Sequence, residues 1–140
     1  MKCFVLSLHR AGTRTTAAYL EALGVRTRHW PVDHDGADLQ AKVLGHETDL
    51  EHVTSVLGPV LDRYDAVADV PIPVLYRQLL ARYPEAKFLL LYRHAFDWLR
   101  SVRWKLRRGD FRPYVRTVYW TYFDHRPARV AELSDADLLW

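Results

Sequence analysis

Short apolar runs alternate with amphipathic stretches along this chain. Residues 2–8 hold Cys3, Phe4, Val5, Leu6 and Leu8 and read as a buried strand. Thr13 to Leu23 reads as a helix, because Ala17, Leu20 and Leu23, joined by Ala18, recur at helical spacing. Gly24 suits the position just past its end. Val25 to Trp30 is a candidate short strand, and residues 31–38 form a polar, turn-rich loop. Asp49 to Tyr64 predicts a helix with Val53, Val56, Leu57, Val60 and Leu61 on one face, kinked or broken at Gly58-Pro59. Asp65 to Asp69 predicts a second core strand. Pro73 suits the first turn of a helix reaching Tyr83, with Leu75, Leu79 and Leu80 inward, and Pro84 stops it. Lys87 to Tyr92 is the plainest strand. Ala95 to Arg108 predicts a helix with Phe96, Leu99, Val102 and Leu106 as its stripe, closed by Gly109. Residues 113–133 predict an aromatic-rich helix, and Asp137 to Trp140 the start of a further strand.

This alternation predicts an α/β fold, a three-layer sandwich around a central, mainly parallel sheet with right-handed crossovers. In such sheets ligands bind beyond the carboxyl ends of the strands. Loop 9–13, Asp69 and Arg93 all follow predicted strands, so all three are expected in one crevice. A chain of 140 residues reads as one domain, 1–140, large enough for a real core. No apolar run approaches a membrane span and the N-terminus lacks the shape of a signal peptide, so no membrane partner and a cytoplasmic location are expected. The single cysteine, Cys3, excludes an internal disulfide and reads as a small core residue.

The net charge is only +3, but it is unevenly spread. Arg93, Arg100, Arg103, Lys105, Arg107, Arg108, Arg112 and Arg116 fall in one short region. That cluster reads as solvated helix surface, a pocket for an anionic small ligand, or a nucleic-acid patch.

The densest chemistry lies where the first strand meets the first helix. Arg10-Ala11-Gly12-Thr13-Arg14-Thr15-Thr16 opens that helix. The first amides of a helix have no helical partner, and the dipole adds positive potential there. Gly12 lets the backbone approach a ligand, the two arginines add permanent charge, and the threonine hydroxyls can donate to phosphate or sulfate oxygens. The plain alternative is a strand-to-helix turn with Thr13 as its N-cap. The loop is not a Walker A motif, since the Gly-Lys-Ser/Thr ending is absent. A second pattern runs from Phe88 to Ser101: an apolar strand, then Arg93, then Ser101 eight residues later on the next helix. Arg93 can hold an anion bidentately and Ser101 can donate to the same group.

Together the two patterns resemble those of the PAPS-dependent sulfotransferases (PAPS is 3′-phosphoadenosine-5′-phosphosulfate), over residues 3–30 and 65–103. Asp69-Val70-Pro71 onward looks like a bacterial branch of that family. The resemblance implies a P-loop-like fold. It implies that Arg10, Ala11, Gly12, Thr13, Arg14 and Thr15 hold the phosphosulfate end of PAPS. Arg93 and Ser101 would hold the 3′-phosphate, and no metal is required. It departs in having Ala95 where the family often has Pro, and Arg10 where it usually has Lys. The family pattern continues past this point into a segment that closes over the donor, so the resemblance also implies that this segment is lacking after Trp140.

The implied activity is sulfuryl transfer to a hydroxyl or amine of a small molecule or glycan. The acceptor would be recognised by loops near 31–48 and 109–125. Such an acceptor needs a general base. Asp69, at a strand end, is the first candidate, with capping of the helix near Ile72 as its alternative; His9, in the anion loop, is the second, and Arg10 would stabilise transferring charge. His94 reads as structural. His29, His34, His46, His52 and His125 form no metal-ligand spacing. Two other readings stay open. One is a nucleotide kinase or NTPase, with Ala66-Val67-Ala68-Asp69 as a Walker B strand. The other is a non-catalytic module binding nucleotide or nucleic acid, although nucleic acid is not the expected partner. An open sheet edge near Trp140 leaves room for a homo-oligomer.

Overall fold

The computed structural model describes residues 1–34, 37–109 and 112–123 (side chains at 34, 37, 106 and 119–123 excepted). The chain divides into two compact units, Met1–Tyr92 and Arg93–Trp140. In the first, the elements run β1 (Cys3–Val5), α1 (Thr13–Ala22), β2 (Thr27–His29), β3 (Asp33–His34), β4 (Ala37–Asp38), α2 (Gln40–Val43), α3 (Leu50–Arg63), β5 (Ala66–Ala68), a 3-10 turn (Ile72–Leu75), α4 (Tyr76–Arg82) and β6 (Lys87–Leu89).

Four strands form one parallel sheet in the order β2-β5-β1-β6, with Cys3 level with Ala66 and Lys87, and Ala66 level with Thr27. The connection from β1 runs toward β2, and the connection from β5 runs toward β6 on the other side. The chain therefore reverses direction between β1 and β5, which opens a crevice at their carboxyl ends. Right-handed crossovers set α1 on one face of the sheet and α3 and α4 on the other. α1 packs on β2 and β5, and α3 packs on α4. This is the α/β sandwich that the alternation predicts. The polar loop after Trp30 holds a small antiparallel hairpin, β3 with β4.

The central strands are apolar because both of their faces are covered. Phe4, Val5, Ala66, Val67 and Ala68 are fully buried, joined from the helices by Leu57, Val60, Leu61, Leu75 and Leu79. Several expected inward faces are narrower. Leu23, Leu80 and Phe96 are exposed, while Thr13 and Ala17 are what α1 buries. α3 runs unbroken through Gly58-Pro59. Pro59 lies on the exposed side of the helix, where water can take up the carbonyl it leaves unbonded.

Two strands also end sooner than their apolar runs. Pairing stops at Val5 and at Leu89. Beyond them Ser7 takes over: its Oγ accepts from the Leu91 amide at 2.7 Å and donates to the Leu91 carbonyl at 3.2 Å. This side-chain staple replaces the ladder and frees the chain to turn into loop 8–12.

The second unit contains α5 (Ala95–Arg107) and α6 (Pro113–Phe123). Leu99 and Val102 of α5 and Tyr114, Val115 and Val118 of α6 are buried. The remainder of the helix expected over 113–133, and the strand expected at Asp137, lie outside the described residues. No helix among the described residues is long and apolar enough to cross a membrane.

Candidate functional site

Among the described residues three non-glycine residues adopt the left-handed backbone conformation: Arg10 (φ 69), Trp30 (φ 63) and Asp69 (φ 77). They follow β1, β2 and β5, so all three stand at the carboxyl end of the sheet. Each such residue costs on the order of 1–3 kcal/mol and persists only where its surroundings hold it. The backbone strain of this unit is thus gathered around the crevice that the topology opens.

The loop after β1 builds the first wall. Ala11 closes a tight turn by donating to the Leu8 carbonyl at 3.3 Å. Gly12 follows at φ 101, and an added Cβ there would meet nothing within 4 Å. Room therefore exists beside this backbone for a bound group. The first helical bond of α1 runs from the Thr16 amide to the Gly12 carbonyl at 2.9 Å, so the amides of Thr13, Arg14 and Thr15 precede the helical ladder. Gly12, and not Thr13, is the N-cap, because only glycine takes this positive φ without penalty. Arg10, Arg14 and Thr15 are exposed and Ala11 is half-buried.

Thr13 instead turns inward. Its Oγ1 lies 3.2 Å from Nε2 of His29, the last residue of β2. The same Nε2 lies 3.0 Å from Oδ2 of Asp69, just past β5. The second carboxylate oxygen, Oδ1, accepts from the Val70 amide at 2.8 Å, and the Asp69 carbonyl accepts from the Ile72 amide at 3.0 Å. Asp69 therefore fixes the backbone ahead of the turn with one oxygen, while the other oxygen fastens an imidazole; the cap position of that turn belongs to Pro71, with no side-chain cap. The Asp69 side chain is only 8% exposed and that of His29 is 25% exposed. His29 was legible only as a histidine at a strand end. Its partners lie 16 and 40 residues away in sequence, and strand order brings them together.

His9 lies in the same loop but is buried, with 6% of its surface exposed. Arg93 and Ser101 belong to the second unit. Arg93 is exposed and stands four residues past the last paired residue of β6, not at the strand end, because pairing has already given way to the Ser7 staple. Ser101 is half-buried within α5. The expectation that Arg93 shares a crevice with loop 9–13 and Asp69 thus covers residues of two units; the loop, His29 and Asp69 are gathered within the first. α5 carries its own cleft, of about 560 Å³, lined by Phe96, Asp97, Arg100, Arg103, Trp104, Arg107 and Arg108. There Arg108 stacks on Trp104 at 4.6 Å and Arg100 pairs with Asp97 at 2.9 Å.

The amino ends of the strands are fastened by charge. Arg26 grips Asp65 with bonds of 2.8 and 3.3 Å, and this hydrogen bond holds the Asp65 carboxyl below its usual range. Lys2 donates to the carbonyls of Leu61 and Tyr64 at the end of α3. Tyr83 donates to Asp62, which also pairs with Arg82 at 2.9 Å, and these contacts hold Asp62 low as well. Burial pushes the Cys3 thiol up, which disfavours the thiolate a nucleophile requires. Among the described residues no cluster of three or more His, Cys, Asp or Glu is placed to hold a metal ion.

The model of the family described as "Sulfotransferase domain" matches residues 2–136. A protein of Aspergillus versicolor, "Ava biosynthesis cluster protein M", is 29% identical over 109 residues, a match covering 74% of this chain and 42% of that protein. The chain therefore spans less than half the length of this relative. The family match, by contrast, takes in nearly the whole chain, both the strand–loop–helix that frames the crevice and the helix that carries Ser101: the chain belongs to the sulfotransferase domain family.

Proposed function

We propose that this chain transfers a sulfuryl group from PAPS to a hydroxyl or amine of a small molecule or glycan. The observation that carries this reading is the amino end of α1. Gly12 leaves open space beside the backbone, three amides precede the helical ladder, and Arg10 and Arg14 stand exposed around them. A cradle of this kind suits an anion with several oxygens. PAPS, when bound, supplies the sulfuryl group and a phosphate leaving group.

In this reading Arg10, the amides from Gly12 to Thr15, and the hydroxyls of Thr13 and Thr15 hold the phosphosulfate and offset charge on its oxygens during transfer. Arg93 and Ser101 are assigned to the 3′-phosphate on their sequence pattern. The acceptor side is assigned to the segment after Trp30, where the β3–β4 hairpin and α2 continue directly from His29.

Titration calorimetry with adenosine 3′,5′-bisphosphate tests the donor assignment. Micromolar binding is expected, weakened about 10- to 100-fold by Arg10→Ala and by Arg93→Ala, the range for a charged hydrogen bond. Silence with the bisphosphate, together with tight binding of magnesium ATP, would replace this reading with that of a nucleotide kinase or NTPase.

A further inference from the structure

We infer that His29 is the base that deprotonates the acceptor, and that Asp69 acts through it as a positioning residue. The inference rests on the sulfuryl-transfer reading and names the group that completes it. Neither sequence candidate for the base is placed for that task. Asp69 has both oxygens engaged, on Val70 and His29, and His9 is buried. His29 is partly exposed, ends a strand at the crevice, and leads straight into the segment assigned to the acceptor.

The contacts around the ring select its tautomer. Nε2 faces the carboxylate oxygen of Asp69 at 3.0 Å, so Nε2 carries the hydrogen and donates it. Thr13 Oγ1, at 3.2 Å from the same nitrogen, is then a second acceptor, and the Thr13 hydroxyl hydrogen remains for the anion at α1. The lone pair is left on Nδ1. That nitrogen makes no hydrogen bond among the described residues and is not sealed from solvent. As the acceptor oxygen or nitrogen forms its bond to sulfur, its proton passes to Nδ1. The sulfur–oxygen bond to the phosphate breaks, and its electron pair leaves on that phosphate. The imidazolium, held by Asp69, later returns its proton to water.

The Val70 amide makes this testable. It pins Oδ1 of Asp69, so in Asp69→Asn the amide oxygen stays on Val70 and the NH₂ group takes the place of Oδ2. That NH₂ donates to Nε2 and reverses the tautomer, moving the hydrogen to Nδ1 and removing the basic lone pair from the acceptor side. Asn also tolerates the left-handed conformation at this position, so the fold is retained.

The experiment is long-range ¹H–¹⁵N correlation of the histidine rings. It is paired with release of adenosine 3′,5′-bisphosphate from PAPS, water serving as acceptor. The wild type is expected to show the Nε2–H form at His29, and Asp69→Asn the Nδ1–H form. PAPS turnover is expected to fall at least 100-fold in both Asp69→Asn and His29→Gln, while bisphosphate affinity stays within about threefold of wild type. An Nδ1–H ring in the wild type, or wild-type turnover by His29→Gln, overturns the assignment of His29. Failure of the wild type to bind the bisphosphate overturns the sulfuryl-transfer reading instead, and leaves the tautomer result standing as a statement about this pair.

Discussion

Gly12 shows how much one residue without a side chain decides. At φ 101 a Cβ is strained whatever the space around it, and the space here is open. Gly12→Ala is therefore expected to lower stability by about 1 kcal/mol through backbone strain alone, read by urea unfolding. Bisphosphate affinity should fall as well, since the methyl group enters the volume beside the anion cradle; unchanged affinity would place the anion elsewhere. Thr13 makes the companion case. Thr13→Val keeps the buried shape but removes the hydroxyl that contacts His29 and that the proposed reading assigns to the anion as well. About a tenfold loss of bisphosphate affinity is expected by calorimetry, the low end for a hydrogen bond to a charged group. The order of the glycine and the threonines alone raised the expectation of anion chemistry. The inward turn of Thr13 was not, because it follows from Gly12 taking the cap position.

At the scale of elements, the two ends of the sheet do different work. The carboxyl end gathers strain and polar side chains, while the amino end is fastened by Lys2, Arg26, Asp62, Asp65 and Tyr83. Lys2 ties the start of β1 to the last carbonyls of α3, as a cation at a helix C-terminus should. Lys2→Met is expected to cost about 1 kcal/mol in urea unfolding without affecting bisphosphate binding. The carboxylates set a pH limit. Asp62 and Asp65 have folded-state pKa values lowered from 3.8, chiefly by hydrogen bonds from Tyr83 and Arg26 respectively. Their contribution is full above that unfolded value and is lost as pH falls through the lower folded values. Tyr83 is raised above 10.0, by burial first and then by Asp62, so its contribution is full below 10.0 and is lost as pH rises through the folded value. Unfolding midpoints should therefore decline below about pH 4. Asp62→Asn should flatten part of that decline, and an unchanged slope would show that the Tyr83 contact contributes nothing in solution.

For the molecule as a whole, ligand binding and stability are one equilibrium. A ligand at a hundred times its dissociation constant stabilises the folded state by about 2.7 kcal/mol. Saturating adenosine 3′,5′-bisphosphate is expected to raise the thermal midpoint by about 5–10 °C in a chain of this size. The rise should fall by about half or more in Arg10→Ala and in Arg93→Ala. Loss in one variant alone would assign the donor to that residue's unit and remove the other from the site.

The alternation of apolar and amphipathic segments was enough to determine the sandwich and the order of its main elements, because burial on two faces forces central strands such as Phe4-Val5 and Ala66-Val67-Ala68 to be apolar. Thr27-Arg28-His29 was hard to read for the converse reason: an edge strand is half covered and carries polar residues. The strand–loop–helix junction over residues 6–13 was legible because its pattern is local, one turn of chain between a strand and a helix. The meeting of Thr13, His29 and Asp69 was decided only in three dimensions. It depends on β5 inserting between β1 and β2, and no local pattern encodes which strands become neighbours once the chain has closed into a sheet.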